Sequence, residues 1–269
     1  MRGNDPGEQP RDWTQAINNF GALVESEADW SRPTTCPGWT IADLVSHTID
    51  LEAMLASDPR PQHNPDWSVL PHVKSDFGRV TEVGVDYRRG RSKQELLGEL
   101  TDAHSRARER IEALEPDASL PWLRGDTPLP QVLSMRTYDI WVHEQDIRIA
   151  TGNNGNLTGP GSTDAMQYLT AGLPKVWGKG VGAPAGSVLH VRITEPGLTG
   201  KFWVRMNQDG KAAFIEKTAD ADVTVTLPWL SFVMLAGGRA TETNVAESVV
   251  VTGNEELGAL LIDRMAVTP

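Results

Sequence analysis

The stretch "YDIWVHEQDIR", residues 138–148, places Asp139, His143 and Asp146 at i, i+4 and i+7. On a helix this spacing lines carboxylate, imidazole and carboxylate along one face, between Ile140, Trp141, Val142 and Ile147. Side chains at i and i+4 stand one above the other and can share one ion, the geometry behind helical zinc sites. The Asp139–His143 pair alone is weak, because Asp and His meet four apart often by chance and then simply hydrogen-bond. A mononuclear site needs a third protein ligand. His47 in "TIADLVSHTIDLE" is the best candidate, since it is in line with Leu44, Leu51 and Met54 and so points toward a helical interior. Two histidines and one carboxylate make an open site, with positions left for water or substrate.

The other titratable residues compete less well. Asp43 also precedes His47 by four, but it follows Thr40 by three, the capping-box spacing, and is assigned to capping. Asp146 is a ligand or a partner that orients His143, and the second role is favoured. Asp50 and Glu52 are weaker alternatives. His63 and His72 fall in a Pro-rich segment, His104 among charged residues and His190 in a strand, so all four are assigned surface or structural roles. Cys36 is the single cysteine, which excludes an intrachain disulfide and a Cys-paired zinc site. With no neighbouring His and no helix N-terminus of its own to lower its pKa, it reads as a small residue of the Cys-Pro-Gly-Trp turn that packs Trp39 inward.

Four helical segments must position these groups. Residues 11–30 carry an apolar stripe at Trp13, Ile17, Phe20, Leu23 and Val24. Residues 41–56 follow the Thr40 capping box, and residues 93–114 make a third helix. A fourth is expected after "GDTP", with Asp126 or Thr127 as cap and Pro128 in its first turn, running to Ala150. Residues 61–84 are Pro-rich and irregular at first, and receive no element. Four such helices predict an antiparallel bundle, an architecture that builds metal sites from facing helices. The Gly/Asn-rich residues 151–165 form the expected linker, giving domains at residues 1–155 and 160–269. Beyond it come a helix over residues 164–176, the strand-like runs "SVLHVRIT", "GKFWVRMN", "GKAAFIEK" and "ADVTVTL", a helix at "PWLSFVMLAGG", a strand at "ESVVVTG" and a closing helix. "ITEPGLTG" and "NQDGKA" read as hairpin connections, and the block is α+β.

Composition sets the remaining bounds. The chain has 269 residues, a hydrophobic content of 39% and a formal charge of -11. The negative charge argues against nucleic acid, which needs a clustered Lys/Arg surface. No apolar run approaches a membrane span, and the first residues have no signal-type apolar core, so the expected location is cytoplasmic.

"TTCPGWTIADLVSHTIDLE", followed about ninety residues later by "RTYDIWVHEQDIR", resembles the mycothiol-dependent maleylpyruvate isomerase family. "ADVTVTLPWLSFVMLAGGRA" and "VVVTGNEELGALLIDRM" are similar to its C-terminal part. The resemblance implies a DinB-like four-helix bundle followed by a smaller α+β, sterol-carrier-like domain. It implies a metal, zinc or a similar divalent ion, on His47, Asp139 and His143, with Asp139 standing where the best-known members have Glu. It implies further that Arg239 of "AGGRA" serves the active site. The implied activity is that of a mycothiol-using enzyme, in which a metal-bound thiolate attacks an electrophilic small molecule. A reversible addition gives cis–trans isomerisation and a lasting one gives S-transfer. The implied partners are a small-molecule thiol and an electrophilic substrate. The rival reading is a non-catalytic small-molecule or lipid carrier with a structural metal.

Overall fold

A computed structural model describes residues 8–123, 125–218, 220–239 and 245–268. The chain divides into two compact units, Met1–Gly155 and Asn156–Pro269. In the first, four long helices pack in pairs: α1 (Glu8–Ser26) on α5 (Leu129–Thr151), and α2 (Ile41–Leu55) on α4 (Lys93–Glu112). α1 buries the stripe read from its sequence, Trp13, Ile17, Phe20, Leu23 and Val24. Fully burying a side chain of this kind contributes about 1.5–3 kcal/mol. α2 and the middle of α5 are different. Both are buried nearly all round, as expected of helices at the centre of a packed unit. These are the two helices that carry His47, Asp139 and His143.

Two local features depart from the sequence expectation. The segment left without an element holds α3 (Asp76–Asp86), which Ser75 caps by accepting from the Gly78 amide. Its residues Val80, Thr81, Val83 and Val85 are β-branched and Gly78 and Gly84 are poor helix formers, so propensity alone gives little signal. Packing against α2 fixes it instead, with Gly84 against Asp50. The second departure is at "GDTP". Neither Asp126 nor Thr127 caps α5. The segment is strand β2 (Gly125–Pro128), antiparallel to β1 (Ser119–Trp122), and Pro128 directly precedes the helix. The hairpin supplies the backbone partner that a side-chain cap would have supplied: the Leu129 amide donates to the Ala118 carbonyl at 2.8 Å.

The second unit opens with α6 (Pro160–Ala171), which begins inside the stretch read as linker, and continues through a short α7 (Leu173–Lys175) into a π-type turn. Strands β3 (Val188–Thr194), β4 (Gly200–Met206), β5 (Ala212–Ile215), β6 (Val223–Pro228) and β7 (Val250–Gly253) form one sheet in the order β5-β4-β3-β6-β7. The β3–β4 and β4–β5 pairs are antiparallel, joined where the two hairpin connections were read, whereas β3 and β6 run parallel. Leu189, Val191, Ile193, Val204, Val223, Val225 and Leu227 alternate into the core. Helices α8 (Trp229–Ala236) and α9 (Glu255–Asp263) flank the last strands. Among the described residues, no helix is long and apolar enough to cross a membrane.

Candidate metal centre

The site begins with the cap of α2. Thr40 accepts from the Asp43 amide and the Asp43 carboxylate accepts from the Thr40 amide at 2.8 Å, a closed capping box. Asp43 also accepts from Arg89 Nε at 3.1 Å, so it is committed away from His47. One turn further on, His47 is 4% exposed and turned toward α5. Its Nε2 lies 3.4 Å from Asp139 Oδ2, and His143 Nε2 lies 3.7 Å from Asp139 Oδ1. One ligand atom from each of the three residues falls within 4.8 Å of the others. The structure therefore brings together the three residues read as ligands, from two helices far apart in sequence.

These separations are longer than a good hydrogen bond and close to those a shared ion would set. Bonds of about 2.0–2.2 Å in a tetrahedral shell put neighbouring ligand atoms roughly 3.3–3.6 Å apart. A good N–H···O bond would be about 2.9 Å. The buried Nδ1 of His47 has no hydrogen-bond partner among the described residues. The donor set of two imidazoles and one carboxylate fits zinc or a similar divalent ion. Asp139 keeps its side chain 27% exposed, which leaves a side for approach.

His143 is held by a second layer. Its Nδ1 lies 3.0 Å from Asp146 Oδ2, and Asp146 Oδ1 accepts from Thr35 Oγ1 at 2.5 Å. A carboxylate only accepts, so Nδ1 carries the proton and Nε2 presents its lone pair to the cluster. Burial holds the His143 imidazole below its ordinary pKa, against the Asp146 hydrogen bond that pulls it up. The neutral, ligating form is therefore favoured at neutral pH. Burial raises the Asp139 carboxyl, but His47, His143 and Arg136 together outweigh that and keep it far below the usual carboxylate range. Thr35 has no sequence signal linking it to Asp146, from which it is 111 positions distant.

Trp39 forms a wall, its ring centroid 5.0 Å from that of His47 and 6.0 Å from that of His143. Its Nε1 donates to Glu82 Oε2 of α3 at 2.8 Å, and His72 Nε2 reaches the same oxygen at 3.0 Å. Gly38 makes this turn possible. Its φ is +78°, and a Cβ there would overlap the His72 ring. Cys36 departs from the sequence reading. It packs against the bundle core as expected, yet it does have a histidine neighbour, because its Sγ lies within 4.8 Å of His143 and Asp146 ligand atoms.

The weaker candidates have other partners. Asp50 is paired with Arg60 at 2.7 Å and with Arg88 at 3.5 Å. His63 pairs with Asp86, and His104 Nδ1 lies 2.9 Å from Glu52. His190, in β3 of the second unit, stacks on Trp203 with centroids 4.2 Å apart. Arg239 is also in the second unit, 6% exposed, and its Nη1 donates to the Gly237 carbonyl at 2.7 Å. Sequence reasoning missed Arg136, which is 1% exposed and donates through Nη1 to Asp139 Oδ2. The available signal was a cation three residues before Asp139 on the same helix face.

Residues 11–148 match the family described as Mycothiol maleylpyruvate isomerase N-terminal domain. Two uncharacterized proteins, from two strains of Mycobacterium tuberculosis, are each 24% identical over 150 residues, 55% of this chain. The chain spans 58% of the length of those relatives. The crystal structure of the mycothiol-dependent maleylpyruvate isomerase is similar over 92% of both chains, with a TM-score of 0.57 at 14% identity. A histidine-to-alanine mutant of that isomerase gives 0.58 over the same share, also at 14% identity. At that identity the likeness is one of fold.

Proposed function

This chain belongs to the mycothiol maleylpyruvate isomerase N-terminal domain family, and from that premise we propose a metal-dependent enzyme that uses mycothiol or a related sugar thiol against an electrophilic small molecule. The observation that carries the reading is the convergence of His47, Asp139 and His143 at separations suited to one ion. A divalent ion such as zinc, when bound by them, lowers the pKa of a coordinating thiol enough to keep it as thiolate at neutral pH.

The chain's own groups do the positioning. Asp146, steadied by Thr35, fixes the His143 tautomer so that Nε2 is free to ligate. Trp39 covers the two imidazoles and limits water around them. Arg239 is proposed to bind a substrate carboxylate through its guanidinium fork. Addition of the thiolate to a conjugated double bond, rotation and expulsion give cis–trans isomerisation. Retention of the new C–S bond, with a proton from solvent taken up at the neighbouring carbon, gives S-transfer. The same residues serve both outcomes, so the substrate decides between them.

The test is elemental analysis of the purified protein together with a thiol assay. One divalent ion per chain is expected, with thiol consumption by an electrophile that chelator abolishes and added zinc recovers. Metal-loaded protein that leaves mycothiol and every tested electrophile unchanged would refute the proposal.

A further inference from the structure

Asp139 is the shortest carboxylate that could complete this ligand set, and Arg136, one turn before it on α5, reaches it directly. Its environment contains a buried ion pair that the proposed chemistry does not use. Arg136 donates through Nη1 to Asp139 Oδ2 and through Nη2 to Glu52 Oε1 at 2.9 Å, with Nε on the same Glu52 oxygen at 3.3 Å. Glu52 is 0% exposed and also accepts from Trp13 Nε1 at 3.1 Å, while its other oxygen is 2.9 Å from His104 Nδ1. Glu52 of α2 thus anchors the Arg136 guanidinium and is itself bonded from α1 and α4, and the guanidinium in turn holds Asp139.

A cation beside a ligand carboxylate is, on Coulomb grounds alone, unfavourable for binding a divalent cation. Burying a guanidinium and a carboxylate also has a desolvation cost, which apolar residues of the same volume would avoid. Their arrangement needs another reason, and the geometry supplies one. The planar fork of Arg136 spans two carboxylates at once, which a lysine cannot do. Glu52 balances its charge, so that Asp139 keeps a net negative charge in the cluster. With Oδ2 held by Arg136, the Asp139 carboxylate is fixed at 3.4 Å and 3.7 Å from the two histidine nitrogens.

We propose that Arg136, anchored by Glu52, is the positioning residue of the metal centre, locking the short Asp139 side chain in its ligating orientation. This rests on the metal reading above. Loss of an outer partner of a ligand typically lowers metal affinity about 10- to 100-fold.

The experiment measures zinc affinity by competition with a chromophoric chelator, and the visible spectrum of the cobalt-loaded protein, in wild type and three variants. Arg136→Lys keeps the charge and loses the fork. Arg136→Met removes the charge. Glu52→Gln with Arg136→Met removes both charges of the Arg136–Glu52 pair, so that neither is left buried without the other. Affinity should fall roughly 10- to 100-fold in all three, with a shifted cobalt spectrum and unchanged far-ultraviolet dichroism in the double variant. Unchanged or tighter binding by the folded double variant would overturn the inference, since tighter binding is what a merely repulsive cation predicts. Absence of metal from the wild type itself would instead refute the metal reading on which the inference rests.

Discussion

Replacing Asp146 by Asn separates two ways of reading the cluster. His143 belongs to both the His47–Asp139–His143 group and a Cys36–His143–Asp146 group. In the first, Asp146 is the partner that keeps His143 protonated at Nδ1. In the second it is itself a ligand. Asp146 is fully buried and accepts from both Thr35 and His143, so Asn keeps the shape but loses the charge and one strong acceptor. As an orienting partner, its loss should lower zinc affinity about 10- to 100-fold, or roughly 1.4–2.7 kcal/mol, with stoichiometry unchanged. Folding stability should fall by about 1.5–3 kcal/mol for the weakened charge-assisted hydrogen bonds. Calorimetric titration of zinc into metal-free protein reads affinity and stoichiometry together, and urea unfolding reads stability. Thr35→Val, which removes only the outer hydroxyl, should show a smaller effect in the same direction. Two results would refute the reasoning: wild-type affinity in Asp146→Asn, or complete loss of the ion in Asp146→Asn while Asp139→Ala retains it.

Further outcomes follow from the same geometry. His47→Ala, Asp139→Ala and His143→Ala should each lose the ion by elemental analysis, because two protein ligands compete poorly with water. Asp43→Ala should keep it and cost about 1 kcal/mol of stability as a lost cap, plus whatever its pairing with Arg89 contributes. Glu52 is pulled by burial toward a higher pKa, but the His104 hydrogen bond and the Arg136 charge hold it below its ordinary 4.5. Its stabilising effect is therefore fully present above about pH 4.5 and lost as pH falls through the lower folded-state value. The gap in urea midpoint between wild type and Glu52→Gln should be wide at pH 7 and narrow progressively as pH falls below about 4.5. A gap that stays constant down to pH 3 would contradict the assignment. Gly84→Ala would drive a methyl group into the Asp50 carboxyl that Arg60 and Arg88 hold, and should cost about 1–3 kcal/mol in thermal unfolding. Arg239→Lys should leave metal content unchanged and fail to restore the activity lost in Arg239→Ala, measured with a carboxylate-bearing electrophile.

Features encoded by local spacing could be read directly from the chain. The i, i+4 spacing of Asp139 and His143, the inward stripe of His47 and the Thr40–Asp43 box were all legible, because helical periodicity fixes which side chains share a face. The alternating strands of the second unit and their two hairpin connections were legible for the same reason, at a period of two. What periodicity does not encode is which element covers that face. Helix α3 forms from residues of poor helix propensity because Thr81, Glu82, Gly84 and Val85 are buried, with Glu82 bonded to Trp39, His72 and Arg89. "GDTP" has the residue types of a helix cap, yet pairing with residues 119–122 makes it a strand. The parallel β3–β6 pair, which puts the fourth strand of the sheet beside the first, could not be read from the strand segments themselves. The same limit hid the supports of the site. Thr35 and Cys36 are brought to His143 and Asp146, and Glu52 to Arg136, by the packing of α2, α5 and the Cys-Pro-Gly-Trp turn. Hydrogen bonds and charge pairs between distant segments depend on side-chain positions to a few tenths of an ångström, and only the folded chain fixes those.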